Sequence, residues 1–201
     1  KAVRPKSMMG MTKYLSECYV KKISQKSDNT IFSTVRFGNV LGSSGSVLPI
    51  FNNQIKNGGP ITITDKNATR FFMTIEEASY LVIQAAIIAK KSDILLINMG
   101  KPVKVIDLAR RLLVSLGLNE KTKANPNGIE IIITGLKKGE KLHEELLAND
   151  KSLKTINDNL MIANEEDKIK LTFNEFEVFI KDILENNSEN YLTHRLKELN
   201  L

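Results

Sequence analysis

Tryptophan is absent from this sequence of 201 residues, cysteine occurs once, and aromatic residues make up only 6%. Each scarcity removes a class of protein. The lone Cys18 allows no disulfide framework and no cysteine cluster for a metal, and implies a reducing, cytoplasmic compartment. The longest apolar stretch, Tyr80 to Ala89, is broken by Gln84. It falls well short of the roughly 18 residues of a membrane span, so this segment is expected to make no contact with a bilayer. Lys1-Ala2-Val3-Arg4-Pro5-Lys6 is charged but precedes no apolar stretch, which excludes a secretory signal, and the missing initiator methionine fits a chain that begins inside a longer protein. The basic excess, 29 Lys and Arg against 23 Asp and Glu, is scattered and has no aromatic platform beside it, so nucleic acid is not an expected partner. The 11 glycines never form the Gly-x-Gly-x-x-Gly turn with which a dinucleotide-binding domain opens. Gly38, Gly42 and Gly45 come nearest and make a poor phosphate loop.

What is present, 42% hydrophobic and 26% charged residues, is the balance of a folded protein. Met11, Leu15, Cys18, Tyr19 and Ile23 recur at helical spacing between Met8 and Ser27. The β-branched and aromatic run from Ile31 to Phe37 predicts a strand that Gly38-Asn39 ends. A helix is expected from Val47 to Lys56, stopped by Gly58-Gly59-Pro60, then strands at Ile61–Thr64 and Arg70–Met73. Thr74 and Glu77 form a capping box for a helix reaching about Lys90, and Ile94–Ile97 has the continuous apolar character of a fully buried strand. A helix at Val105–Leu116, a loop at Asn119–Gly128 and a strand at Ile129–Thr134 follow. Beyond Lys141 the chain is expected to be mainly helical, with Phe173, Phe176, Phe179, Ile180, Ile183 and Leu184 on one apolar face. The alternation is that of an α/β protein.

Several blocks carry more information than their periodicity. They are Lys1-Ala2-Val3-Arg4-Pro5, Met9-Gly10-Met11-Thr12-Lys13, the run from Arg36 through Gly38-Asn39 to Pro49, Gly58–Thr64, Thr69–Thr74 and Thr134–Leu146. In this order they resemble the polysaccharide-biosynthesis UDP-N-acetylglucosamine 4,6-dehydratases of the extended short-chain dehydrogenase/reductase family, in register from Lys1 to about Leu147. The resemblance implies the C-terminal part of a Rossmann-like fold, with a small substrate-binding subdomain interleaved. Residues 1–42 and 74–99 are expected in the Rossmann-like half, and 43–73 and 100–201 in the subdomain.

It also implies a reaction: hydride leaves C4 of the sugar for NAD (NADP being the alternative), the C5 proton is lost, the C6 hydroxyl leaves as water, and the hydride returns to C6. Lys13 matches the lysine of the family's Tyr-x-x-x-Lys helix, which holds the nicotinamide ribose; four-residue spacing puts it on one face with residue 9. That residue is Met9, whose thioether exchanges no proton at neutral pH and which marks the larger, membrane-anchored subgroup. Lys1 aligns with the lysine of a Thr-Asp-Lys triplet and is the candidate C5 base, a task that requires a lysine to titrate well below its ordinary ~10.4. As the first residue it is expected to be frayed and solvated. Phe37 and Gly38 are placed beside the cofactor, and Asn39 and Ser46 at the sugar nucleotide. Arg70 matches the arginine that holds the diphosphate, where a planar fork binds two oxygens at once. Glu140 stands where an acid meets the uridine ribose, and Lys137 replaces an arginine, keeping charge but losing bidentate geometry. His143, Glu144 and Glu145 point in different directions as neighbours, so no metal is expected, and His194 reads as surface. The implied partner is a UDP-sugar; a homo-oligomer is compatible with the sequence. An epimerase or reductase of the same superfamily, which should carry tyrosine at position 9, and a non-catalytic nucleotide-sugar-binding fragment are the two alternatives.

Overall fold

The computed structural model describes residues 1–148, 151–165, 169–186 and 188–198. Along the chain run α1 (Met8–Lys26), β1 (Thr34–Arg36), β2 (Asn39–Val40), α2 (Val47–Lys56), β3 (Ile61–Ile63), β4 (Thr69–Arg70), β5 (Phe72–Met73), α3 (Ile75–Ile88) and β6 (Ile94–Ile97). Then come β7 (Val103–Lys104), α4 (Val105–Ser115), β8 (Ile131–Ile133), β9 (Ser152–Lys154), β10 (Leu160–Ala163), α5 (Phe173–Glu185) and α6 (Glu189–Glu198). The α/β class expected from the sequence is the one observed.

The chain divides into two compact units. The first holds residues 1–36, 83–97 and 145–201, of which the described ones build a four-stranded sheet in the order β1-β6-β10-β9. β6 sits inside it, parallel to β1 and antiparallel to β10, and its Leu95, Leu96 and Ile97 are fully enclosed, as a continuous apolar run requires. Helix α1 is capped by Ser7, whose hydroxyl accepts from the Gly10 N–H at 3.1 Å. Its apolar side, Leu15 and Cys18, packs on Ile169, Phe176, Phe179 and Leu196. Each large side chain enclosed in that way contributes on the order of 1.5–3 kcal/mol. Thr172 and Glu175 cap α5 reciprocally. Lys22, itself buried, donates to the carbonyls of Ile169 and Leu171, so the approach to α5 is tied to α1 by polar bonds as well as by packing.

The second unit holds residues 37–82 and 98–144. Its core is Phe51 and Ile55 of α2, Ile61 and Ile63 of β3, and Ala109 and Leu113 of α4. β3 runs parallel to β8, β2 parallel to β5, and β4 antiparallel to β7. The Thr74–Glu77 capping box forms as expected, with bonds of 3.1 and 3.2 Å.

Four expectations need correction. The Arg70–Met73 run is two strands broken at Phe71, because β4 pairs with β7 while β5 pairs with β2. Only Thr34–Arg36 of the Ile31–Phe37 run is strand. The segment after Lys141 is not mainly helical from its start: Leu160-Met161-Ile162-Ala163 has no helical period and completes the free edge of β6. Leu184 leaves the apolar face of α5 and is 71% exposed. The observed division also differs from the expected one, since the stretch from Glu145 onward clusters with α1 and β6, through the β10–β6 pairing and the α5–α1 core.

Candidate functional site

Lys1, Met9 and Lys13 belong to the first unit. Met9, 51% exposed, and the exposed Lys13 lie one turn apart on α1, whose opposite side is the one buried. Lys1 is exposed, but the segment it heads is seated rather than frayed: Ala2 and Val3 are buried, and the Lys1 carbonyl lies so close to Gly10 that a Cβ there would come within 2.8 Å of it. A glycine at position 10 is therefore what lets the opening strand of chain lie against α1.

One turn beyond Lys13, Glu17 takes a bidentate pair from Arg36, Nε to Oε1 at 2.8 Å and Nη2 to Oε2 at 2.7 Å. Nη1 of Arg36 gives 3.0 Å bonds to both oxygens of Glu165 and a longer one to the Leu146 carbonyl. Burial pulls this guanidinium towards losing its proton, but the bonds and charges of Glu17 and Glu165 outweigh that and the net shift is upward, so Arg36 stays charged. The triad joins α1, β1 and the segment after β10.

Phe37, Gly38, Asn39, Ser46, Arg70, Lys137 and Glu140 belong to the second unit. Arg70 and Glu140 are in contact: Nη2 donates to Oε1 of Glu140 at 3.0 Å, and both groups are partly buried. Nη1 of Arg70 is held by the carbonyls of Thr69 and Leu142, at 2.8 and 3.1 Å, which fixes the plane of the guanidinium. Glu140 accepts further from the Thr64 hydroxyl at 2.8 Å and from the Lys137 N–H at 3.2 Å. Lys137 itself is exposed. Its carbonyl accepts from the Glu140 N–H at 2.9 Å, making a turn that presents the carboxylate to Arg70. Glu144 completes the cluster, its Oε1 lying 3.7 Å from Nε of Arg70.

The remaining residues sit at loops and element ends. Gly38 is wedged: a Cβ would fall 2.6 Å from the Phe71 Cβ and 3.1 Å from the Met99 methyl, so packing alone demands glycine. Phe37 is 38% exposed. The Asn39 N–H donates to the Phe71 carbonyl at 2.8 Å. Ser46 precedes α2 without capping it by its side chain, and its Oγ is buried with no hydrogen-bond partner among the described residues. An unsatisfied buried hydroxyl is uncommon in a folded protein.

Sequence reasoning missed Thr64, Thr69, His143 and Glu144 as neighbours of Arg70, with Thr69 Oγ1 and His143 Nδ1 2.8 Å apart. Their signal lay in the spacing of Glu140 and Glu144, one turn apart if helical; the actual backbone there is turn and bridge, which aims both carboxylates at one arginine. Among the described residues no group of three or more His, Cys, Asp or Glu could hold a metal ion. None of the helices there is long and apolar enough to cross a membrane.

Over part of its length the chain has the mixed α/β fold of nucleotide-sugar epimerases and dehydratases. It is similar to the X-ray structure of Pen from Bacillus thuringiensis, at TM-score 0.68 and 36% identity, over 80% of this chain and 49% of that one. A UDP-glucose 4-epimerase from Thermotoga maritima, solved with UDP-glucose, shares the fold at TM-score 0.55 and 18% identity, covering 68% of this chain and 43% of that one. Among relatives by sequence, the capsular polysaccharide biosynthesis protein CapD of Staphylococcus aureus is 48% identical over 147 residues, 73% of this chain and 24% of the relative. The family model for polysaccharide biosynthesis proteins matches residues 1–165, and the chain belongs to that family. It spans about a quarter of the length of CapD and about half that of Pen.

Proposed function

We propose that the chain forms the substrate side of an enzyme that dehydrates a UDP-N-acetylhexosamine, UDP-N-acetylglucosamine, to its 4-keto-6-deoxy form for surface polysaccharide synthesis. The observation that carries this reading is the 48% identity to CapD over 147 residues. The second unit acts as the substrate-binding part and the first as a portion of the dinucleotide-binding part.

In this reading Arg70 holds the diphosphate, Glu140 accepts from ribose hydroxyls, and Asn39, Lys137 and the unpartnered Ser46 hydroxyl serve the remaining oxygens. Lys1 takes the C5 proton. Within the first unit, the exposed Lys13 ammonium has donors suited to the ribose hydroxyls of NAD. NAD, when bound, supplies the hydride acceptor and donor; the sequence contains no glycine-rich turn for its pyrophosphate. Met9 in place of a tyrosine speaks against the epimerase reading, which otherwise shares Arg70 and Glu140.

The test incubates UDP-N-acetylglucosamine and NAD with this chain, and separately with the chain joined to an N-terminal dinucleotide-binding segment, and follows the 4-keto product. Product from the joined protein alone is expected. Failure of the joined protein on this substrate, with turnover of another sugar nucleotide, would remove the substrate assignment; turnover by the chain alone would remove the requirement for a separate dinucleotide-binding segment.

A further inference from the structure

The geometry points to Glu144, together with Glu140, as a specificity-determining pair that screens Arg70 against bare inorganic anions and admits a diphosphate only when it carries hydroxyl donors. This rests on the reading of Arg70 as a diphosphate ligand. The guanidinium has five N–H donors. Two are spent on the carbonyls of Thr69 and Leu142 and one on Glu140, all within 3.1 Å. The Nε–H and one Nη2–H make no hydrogen bond among the described residues, and those are the donors a phosphate would use. Glu144 faces Nε at 3.7 Å, too far for a hydrogen bond yet near enough for its charge to be felt. One cation and two carboxylates leave this partly buried cluster net negative, with side-chain exposures of 13%, 23% and 20% for Arg70, Glu140 and Glu144.

The consequence follows from charge. Free phosphate or pyrophosphate approaching Nε and Nη2 meets two carboxylates and brings nothing to satisfy them, so like-charge repulsion opposes it. A sugar nucleotide brings hydroxyl donors with its diphosphate. A hydroxyl can donate to Glu140, whose oxygens now take the Thr64 hydroxyl, the Lys137 N–H and Arg70, and the exchange frees Nη2 of Arg70 for the phosphates. Glu140 therefore serves as an internal occupant of the fork, and Glu144 as a fixed negative charge beside it. Glu144 makes an ion pair with Arg70 at 3.7 Å and no hydrogen bond to it.

The test measures binding of sodium pyrophosphate and of UDP to the 201-residue chain by isothermal titration calorimetry, for the wild type, Glu144→Gln and Glu140→Gln. Glu144→Gln breaks no hydrogen bond of Arg70, so folding should survive, and a thermal melt checks it. Pyrophosphate binding is expected to tighten about tenfold in Glu144→Gln, as expected for removal of one nearby like charge, and UDP, whose diphosphate meets the same charge, should tighten too. Glu140→Gln should tighten pyrophosphate and weaken UDP. Unchanged or weaker pyrophosphate binding in folded Glu144→Gln would overturn the screening role, whatever UDP does. Absence of UDP binding by the wild type would instead count against the sugar-nucleotide reading, and the pyrophosphate comparison would still decide the screen.

Discussion

Each unit contains an arginine set between two glutamates, and the two are built for different ends. Arg36 in the first unit is 8% exposed, and its bonds run to both oxygens of Glu17, both oxygens of Glu165 and a carbonyl. Arg70 in the second unit is nearly as well covered, at 13%, but one carboxylate touches it and the other stands off at 3.7 Å. A guanidinium bonded through all three nitrogens, with a carboxylate on each side, specifies a geometry; one whose Nε–H makes no hydrogen bond among the described residues can exchange partners. The same residue type thus marks a joint in one unit and a candidate binding group in the other.

Replacing Arg36 by Met should have the largest effect. It leaves the mostly covered Glu17 and Glu165 without their cation, a loss of about 3–5 kcal/mol that a denaturant melt would register. Arg70→Ala should lower the melt by less than Arg36→Met does, because Glu140 and Glu144 are more exposed than Glu17 and Glu165, and should weaken UDP binding roughly ten- to hundredfold, because a charge-assisted contact is lost. If the two variants behaved alike, the distinction between joint and binding group would collapse. Gly38→Ala comes next, with about 1–3 kcal/mol of destabilisation from overpacking against Phe71 and Met99, visible in the melt and independent of any cofactor.

The smallest effect concerns the C-terminal helices. Hydrogen bonds from Tyr191, with Arg195 helping, hold the Asp182 carboxyl below its ordinary range, and the Thr172 hydroxyl and N–H do the same for Glu175. A depressed folded value contributes stability above the unfolded value of about 4 and loses it as pH falls through the folded one. Helicity in a melt series should therefore begin to drop below about pH 4, and Asp182→Asn should flatten that slope.

How much of this was legible beforehand depended on whether the signal was local. The bounds of α2 and the Thr74–Glu77 cap could be read because spacing and capping act within a few residues. The break at Phe71 could not, since it depends on which strand each half pairs with. Nor could β10, a short apolar run whose role is set by the free edge of β6. Arg70 and Glu140 were singled out through a family pattern, but their direct contact could not be read, because 70 residues separate them. Gly38 was read as a cofactor neighbour, and the structure adds a packing reason for glycine there that holds whether or not a cofactor binds.

The most direct test of the claim that the second unit is a sugar-nucleotide binder is a titration of the chain with UDP-N-acetylglucosamine, wild type beside Arg70→Ala. Saturable binding that Arg70→Ala weakens roughly ten- to hundredfold in a protein that still melts cooperatively is the expected result. Equal binding by both folded proteins, or none by the wild type, would contradict it.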